Sequence, residues 1–269
     1  MLQEIFDNYS RRRYDKPPIR EVLCEMHLQN GEAWHLTNFG ILKQAYHEDY
    51  PSSFELPGFT LEIGQDQPKS GKGRVLASQQ IQQRVQYKDT TGAFLVQAFP
   101  NLLTVNQIPS KDYPYTDWEC FLARVTKAEK AASDAIPSLQ GIRVFVIRFI
   151  DEFQHCHQSD TILGDLLNPK STLIPIEVLD SRLQKGGQFF LEIPAIPIAS
   201  ALRIHLDWTD KGTFISFVLD SSVSLFLDPP RWLPDIQPDI AAAKKLLSSC
   251  FEDMISNALR VKFGKVGKE

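Results

Sequence analysis

Long apolar runs are missing from this chain. No stretch approaches the roughly 18–20 residues that cross a bilayer as a helix, and the opening Met1-Leu2-Gln3-Glu4-Ile5-Phe6-Asp7 lacks the basic-then-apolar order of a secretory signal. A cytoplasmic location is the resulting expectation. Cysteine is scarce: Cys24, Cys120, Cys156 and Cys250 include no C-x-x-C pair, which fits thiols in a reducing compartment rather than a disulfide framework. Charge of one sign is scarce too, since 29 Lys and Arg against 33 Asp and Glu leave a net charge of −4. That balance argues against a dedicated duplex-binding surface, which needs many clustered cations, and leaves room for a local basic patch.

The usual catalytic signatures are also missing. The glycine-rich stretch Gly64–Arg74 invites a phosphate-loop reading, but Gly64 and Gly71 have the wrong spacing and Lys72 is followed by Gly73 instead of Ser or Thr. It reads as a mobile loop with no nucleotide role. No Gly-x-Ser-x-Gly elbow surrounds Ser70 or Ser78. His155-Cys156-His157 is the most metal-like run, because imidazole and thiolate both ligate zinc. Adjacent residues seldom close a tetrahedral site, however, and His27, His35, His47 and His205 supply no spaced pair. Asp151-Glu152 would face opposite sides of a strand, and Asp207, Asp210, Asp220 and Asp228 read as turn and strand-end residues. The expectation is no metal, no cofactor and no catalytic set.

What is present is the pattern of an ordinary folded protein, 43% hydrophobic and 23% charged over 269 residues. The organising stretch runs from Gln82 to Phe153. Gln82–Tyr87, the Asp89-Thr90-Thr91-Gly92 turn and Ala93–Phe99 read as a hairpin, with Leu102–Gln107 as a third strand. After the Tyr113-Pro114-Tyr115 loop, Thr116 or Asp117 caps a helix. Its stripe of Trp118, Phe121, Leu122, Val125, Ala128 and Ala132 covers the strands, and Glu119, Arg124, Lys127, Glu129 and Lys130 occupy the other face. Pro137 ends it. Ile142–Ile150 then reads as a long central strand, with Ile142, Val144, Val146, Arg148 and Ile150 in one row and Arg143, Phe145, Ile147 and Phe149 in the other. Arg148, in a mostly apolar row, either meets a carboxylate or forms an anion or partner site.

Elsewhere, Ile19–Leu28 reads as a half-buried strand, Trp34–Tyr50 as an irregularly started helix and Phe59–Ile63 as a short strand. The second half offers a short helix over 161–167, strands at 188–193, 201–208 and 213–220, and a helix from about Pro238 to Val261 before a basic tail expected to fray. The expected fold is α+β: two similar lobes, residues 1–153 and 154–269, each an antiparallel meander covered by helices, sharing one sheet through the long strand.

Three short segments in fixed order carry a resemblance. They are Lys16-Pro17-Pro18-Ile19, then Leu103-Thr104-Val105-Asn106 followed by Trp118-Glu119-Cys120-Phe121, then Ile147-Arg148-Phe149-Ile150-Asp151. Cys250-Phe251-Glu252-Asp253-Met254-Ile255-Ser256 adds a fourth. Together they resemble a sporadically distributed, signature-defined family of bacterial proteins of about this length that has no assigned activity. The family's long strand carries a tyrosine and an asparagine where this chain has Phe149 and Asp151. The resemblance supplies no catalytic residues, and the family's patchy distribution implies a mobile accessory role such as toxin neutralisation or phage defence.

Binding needs only surface, and the aromatic, proline-rich loops supply candidate anchors: Tyr113, Tyr115, Arg231 and Trp232. The expected function is therefore a non-catalytic accessory protein that binds a protein partner or a second copy of itself. Nucleic-acid binding through Arg11, Arg12, Arg13 and Arg148 is one alternative, and metal-dependent hydrolysis of nucleotides or nucleic acids is another.

Overall fold

The computed structural model describes residues 12–65, 75–156, 162–180, 186–196 and 199–268. It is an α+β fold built on one large antiparallel sheet, as the alternating runs require. In chain order the strands are β1 (Arg12–Tyr14), β2 (Ile19–Asn30), β3 (Ser52–Gln65), β4 (Val75–Lys88), β5 (Phe94–Phe99), β6 (Leu102–Gln107), β7 (Leu139–Cys156), β8 (Gly187–Ile196), β9 (Ala199–Asp210), β10 (Phe214–Arg231) and β11 (Lys265–Lys268). The helices are α1 (Thr37–Tyr46), α2 (Trp118–Ala135), α3 (Leu163–Leu166), α4 (Ile176–Leu179), α5 (Gln237–Met254) and α6 (Asn257–Lys262). Nine strands form the main sheet in the order β3-β4-β5-β6-β2-β7-β10-β9-β8, while β1 and β11 pair separately. Among the described residues no helix is long and apolar enough to cross a membrane.

The hairpin at Asp89 forms for a local reason. Its carboxylate accepts hydrogen bonds from the Thr91 hydroxyl at 2.8 and 2.9 Å and from the Phe94 amide at 3.2 Å. Gly92, at φ 71°, supplies the left-handed residue of the turn. Asp117 starts α2 by accepting the Cys120 amide at 2.6 Å. That helix lies on the sheet through Trp118, Phe121, Val125, Ala128 and Ala132. Glu129 is buried with them, contrary to the expectation that it faces solvent, and burial pushes its carboxyl up to about 7. Helix α1 is tied to both neighbours. The Tyr87 hydroxyl donates to the Phe39 carbonyl at 2.9 Å, and the Tyr46 hydroxyl donates to the Ala128 carbonyl at 3.0 Å.

Strand β7 sits centrally. It pairs with β2 on one edge and β10 on the other, so chain segments from both halves flank it. Phe145, Ile147, Phe149 and Phe153 face the helices and join one continuous core with Met26, Phe217 and Leu246. The register slips where His27 opposes Val144 but Leu28 opposes Ile142. That bulge turns Ile142 into the core, out of the row expected to hold it with Val144 and Arg148. The expected boundary between residues 153 and 154 falls inside this strand.

Four further expectations are corrected. Strands β3 and β4 are far longer than the alternating residues suggested, taking in Gly64 and Gln65 of the expected loop and pairing from Ser52↔Lys88 to Gln65↔Val75. Only Val85–Lys88 meets β5, so the rest forms a two-stranded ribbon; residues 66–74 lie outside those described. Strand β7 continues through Gln154 and His155 to Cys156, past the expected exit. The C-terminal helix is broken: Ile255 is extended at φ −88° and ψ 143°, and Ser256 accepts the Leu259 amide to cap α6 afresh. The basic tail is ordered by pairing, with Arg13 opposite Val266 and Tyr14 opposite Lys265.

Gly141 permits the close approach of β10 to the bulge. At φ 135°, it would place an added Cβ 3.1 Å from the Arg231 nitrogen and 3.2 Å from Pro230. Gly141→Ala is expected to cost more than about 1 kcal/mol through backbone strain and that contact. A lowered urea midpoint would show it, and an unchanged one would mean that β10 does not depend on this glycine.

Candidate functional site

The sheet has one face under the helices and one face that no described helix covers, and each carries a candidate site. On the covered face a cavity of about 530 Å³ opens between the first turn of α2, the middle of α5 and the sheet. Its floor is Phe149 and Asp151 from β7 with Ser221 from β10. Its walls include Tyr14, Tyr115, Trp118 and Phe251, with Pro17 and Pro18 from the entry to β2. Among the described residues, the carboxyls of Asp117, Glu119, Asp151 and Glu252 line it, with the ammonium of Lys244.

Asp151 holds the strongest perturbation there. It is 4% exposed, and no hydrogen bond is among the causes that set its protonation. Burial pushes the carboxyl up to about 7, Lys244 works against the rise, and Asp220 adds to it. The Lys244 ammonium lies 4.5 Å from the centre of the Phe149 ring and 5.9 Å from that of Trp118, and donates to the Ser248 hydroxyl at 2.6 Å. Glu252 is held from two sides: Tyr14 donates to it at 2.5 Å and Arg260 at 3.0 Å. Chemically the arrangement is an aromatic pocket, acidic among the described residues, whose central carboxyl changes protonation near neutrality.

On the uncovered face, strands β2, β7, β10, β9 and β8 form a shallow groove of about 930 Å³. Leu23, Arg148, Ser222, Arg203 and Glu192 stand opposite one another in a row across five strands. Arg148 meets Asp220 through two bonds, Nε to Oδ1 at 2.8 Å and Nη2 to Oδ2 at 2.5 Å. The guanidinium is raised further above its ordinary range chiefly by that hydrogen bonding. Of the two readings open for Arg148 in the sequence, the structure shows the carboxylate partner. Arg203 pairs with Glu192 at 3.3 Å, and His27 lies 3.7 Å from Glu25. Phe190 and Phe226 stand among these charges at 58% and 66% exposure.

The four anchors expected in loops are not one patch. Tyr113 is exposed in a turn closed by its amide on the Ser110 hydroxyl at 3.2 Å, while Tyr115 lines the cavity. Arg231 pairs with Asp239 at 3.3 Å, and Trp232 packs against the core edge. Arg231 opposes Ile142, nine residues along β7 from Asp151, a separation of roughly 30 Å at about 3.3 Å per residue. Of the basic residues, Arg11 lies outside the described residues, and Arg12 and Arg13 lie in β1 beside the basic β11. His155 and Cys156 end β7, while His157 lies outside the described residues. No group of three or more His, Cys, Asp or Glu placed to hold a metal occurs among the described residues.

Lys244 was overlooked in the sequence and Asp151 was weighed only as half of the adjacent pair Asp151-Glu152, yet both leave a trace there. Asp151 continues the apolar row Phe145, Ile147, Phe149 toward Phe153, and Lys244 falls on the helical stripe Ile240, Leu247, Phe251. A charged residue in phase with a buried row is the available signal. Phe149 and Asp151 are also the positions where the family resemblance places tyrosine and asparagine, and both face the cavity.

No family model matches the chain, and no curated protein matches it. Among solved structures, it is similar to the crystal structure of the di-domain ARO/CYC StfQ from the steffimycin biosynthetic pathway at 7% identity, covering 86% of this chain and 98% of that one. The TM-score is 0.18, too slight a likeness to carry an argument about fold or activity.

The folded state holds the Asp151 proton more tightly than the unfolded chain does. Its contribution to stability is therefore complete below the ordinary value of 3.8 and is lost as the pH rises through about 7. Asp151→Asn should raise the melting temperature at pH 8 more than at pH 5, with an upper bound of about 4 kcal/mol from some three pH units at about 1.36 kcal/mol each. Equal shifts at the two pH values would show that Asp151 ionises in the folded protein as it does in water.

Proposed function

We propose that this protein is a non-catalytic accessory protein that acts by binding, and that the uncovered face of the sheet is its docking surface. The observation that carries the reading is the pair of exposed rings, Phe190 and Phe226, set in a groove among residues of both signs. Exposed aromatic residues beside arginines are common anchors of protein interfaces. Arg148, Arg203 and His27 stand against Asp220, Glu192 and Glu25. That balance suits a second copy of the same surface turned through a two-fold axis, because pairs already neutralised within the chain bring no excess of one charge face to face. It does not suit a polyanion, which needs cations in excess.

The occupant proposed is therefore a second copy of this chain. In this reading the two meanders, β3 to β6 and β8 to β10, act as two lobes joined through β7, with the second lobe and β7 furnishing most of the surface. The family resemblance supports placing the role in a bacterial defence or toxin-neutralising system.

A second reading, nucleic-acid binding, is favoured by one observation. Pairing of β1 with β11 brings Arg12 and Arg13 beside Lys265 and Lys268, more than 250 residues away in the chain. The combined basic ribbon is longer than either segment alone.

Light scattering separates these readings. The chain at micromolar concentration should have twice its 30.6 kDa mass, and Phe226→Asp or Phe190→Asp should return it to the monomer without lowering its melting temperature. A monomeric parent, or variants that remain dimeric, would remove the proposed surface. Retention of single-stranded oligonucleotide that fades steeply between 50 and 200 mM salt would favour the second reading.

A further inference from the structure

The covered cavity is not needed for docking on the opposite face, and its chemistry points elsewhere. We propose that it binds an organic ammonium ion, seated on the rings of Trp118 and Phe149 with the Asp151 carboxylate as counter-charge. Its volume of about 530 Å³ lies within the range of small-molecule sites, roughly 300–1,000 Å³.

Three features favour a cation over other ligands. First, among the described residues the lining carries the carboxyls of Asp117, Glu119, Asp151 and Glu252 and the ammonium of Lys244. Second, the rings already accept an ammonium: Lys244 sits 4.5 and 5.9 Å from the Phe149 and Trp118 centroids, inside the distance of about 6 Å at which a ring face attracts a cation. An exogenous ammonium would take up the same ring faces while the flexible lysine stem leaves Ser248 and swings out to solvent.

Third, Asp151 is buried, and no hydrogen bond is among the causes that set its protonation; a buried carboxylate needs a partner to ionise. The other acids are differently placed. Asp117 accepts the Cys120 amide, and Glu252 accepts Tyr14 and Arg260. An anionic ligand could reach Lys244, but it would enter against these carboxylates.

The geometry carries a proton linkage with a definite sign. The groups around Asp151 are Lys244 and Glu252 of α5, Tyr115, Asp117, Glu119 and Cys120 at the start of α2, Tyr14 of β1 and, across the sheet, Asp220 of β10. Of these, only Asp151 is pushed to about 7. A bound cation favours its ionised form, so binding releases a proton near neutrality and tightens as the pH rises.

The test is calorimetric titration of the full chain with choline, whose charge does not change with pH, alongside 3,3-dimethyl-1-butanol, its neutral isostere. Choline should bind and the alcohol should not. Choline affinity should rise about tenfold from pH 6 to pH 8, the ratio of ionised Asp151 at those values for a group titrating near 7. Asp151→Asn should weaken binding and abolish the pH dependence while remaining folded. Lys244→Met should bind choline more tightly, because a competing cation has been removed. Equal binding of choline and the alcohol would overturn the proposal, as would loss of binding in Lys244→Met, affinity that falls with rising pH, or no binding by a folded parent.

Discussion

The structure depends on satisfying both edges of β7. An eighteen-residue strand placed centrally must find a hydrogen-bonding partner along each side, because a buried amide or carbonyl left unpaired costs as much as a lost hydrogen bond. Here β2 supplies one edge and β10 the other, so segments from the two ends of the chain are brought to the same strand. Everything else is arranged around that requirement. The meanders extend outward from the two partners, and the helices lie across the face where Phe145, Ile147, Phe149 and Phe153 would otherwise meet water.

That same arrangement makes the two faces unequal. On the covered side the helices do not close completely, because α2 begins at Trp118 just where α5 passes over Phe149 and Ser221. The gap is lined with rings and carboxyls beside the aliphatic side chains of Ile19 and Leu247. Asp151 therefore sits where its phase along β7 would ordinarily place another large apolar residue. On the uncovered side the same strands display alternating charges held in pairs across the sheet, the diagonal Arg148 and Asp220 pair being the most regular. The sheet thus separates an acidic aromatic pocket from a mixed-charge surface by the thickness of one strand layer.

The chain's charge distribution acquires meaning only in this frame. Lys262 to Lys268 and the segment holding Arg12 and Arg13 are each short and separately read as solvated ends. Pairing of β1 with β11 joins them beside Tyr14, whose ring packs edge-on against Phe251 and Phe263 and whose hydroxyl reaches Glu252. Tyr14 thereby links the terminal ribbon to the wall of the cavity.

Local pattern sufficed for what depends on neighbours in sequence. Alternation from Ile19 and from Ile142, the Asp89–Gly92 turn, the Asp117 cap and the stripe from Trp118 to Ala132 are legible because period and turn chemistry are properties of a few adjacent residues. They gave an α+β chain with a large antiparallel sheet and a long central strand. The remainder was decided by contacts between residues far apart. The bulge that turns Ile142 inward needs β2 alongside, and Glu129 reads as a surface residue by its charge although helix period sets it between Val125 and Ala132 on the buried stripe. The break at Ile255 follows from docking, since Asn168 and Leu167 engage that end of α5. Asp151, Lys244 and Trp118 become one site only when β7, α5 and α2 meet. Sequence can mark each as a charge in phase with a buried row or a ring beside a cap, but a shared cavity is a relation in space that no local period encodes.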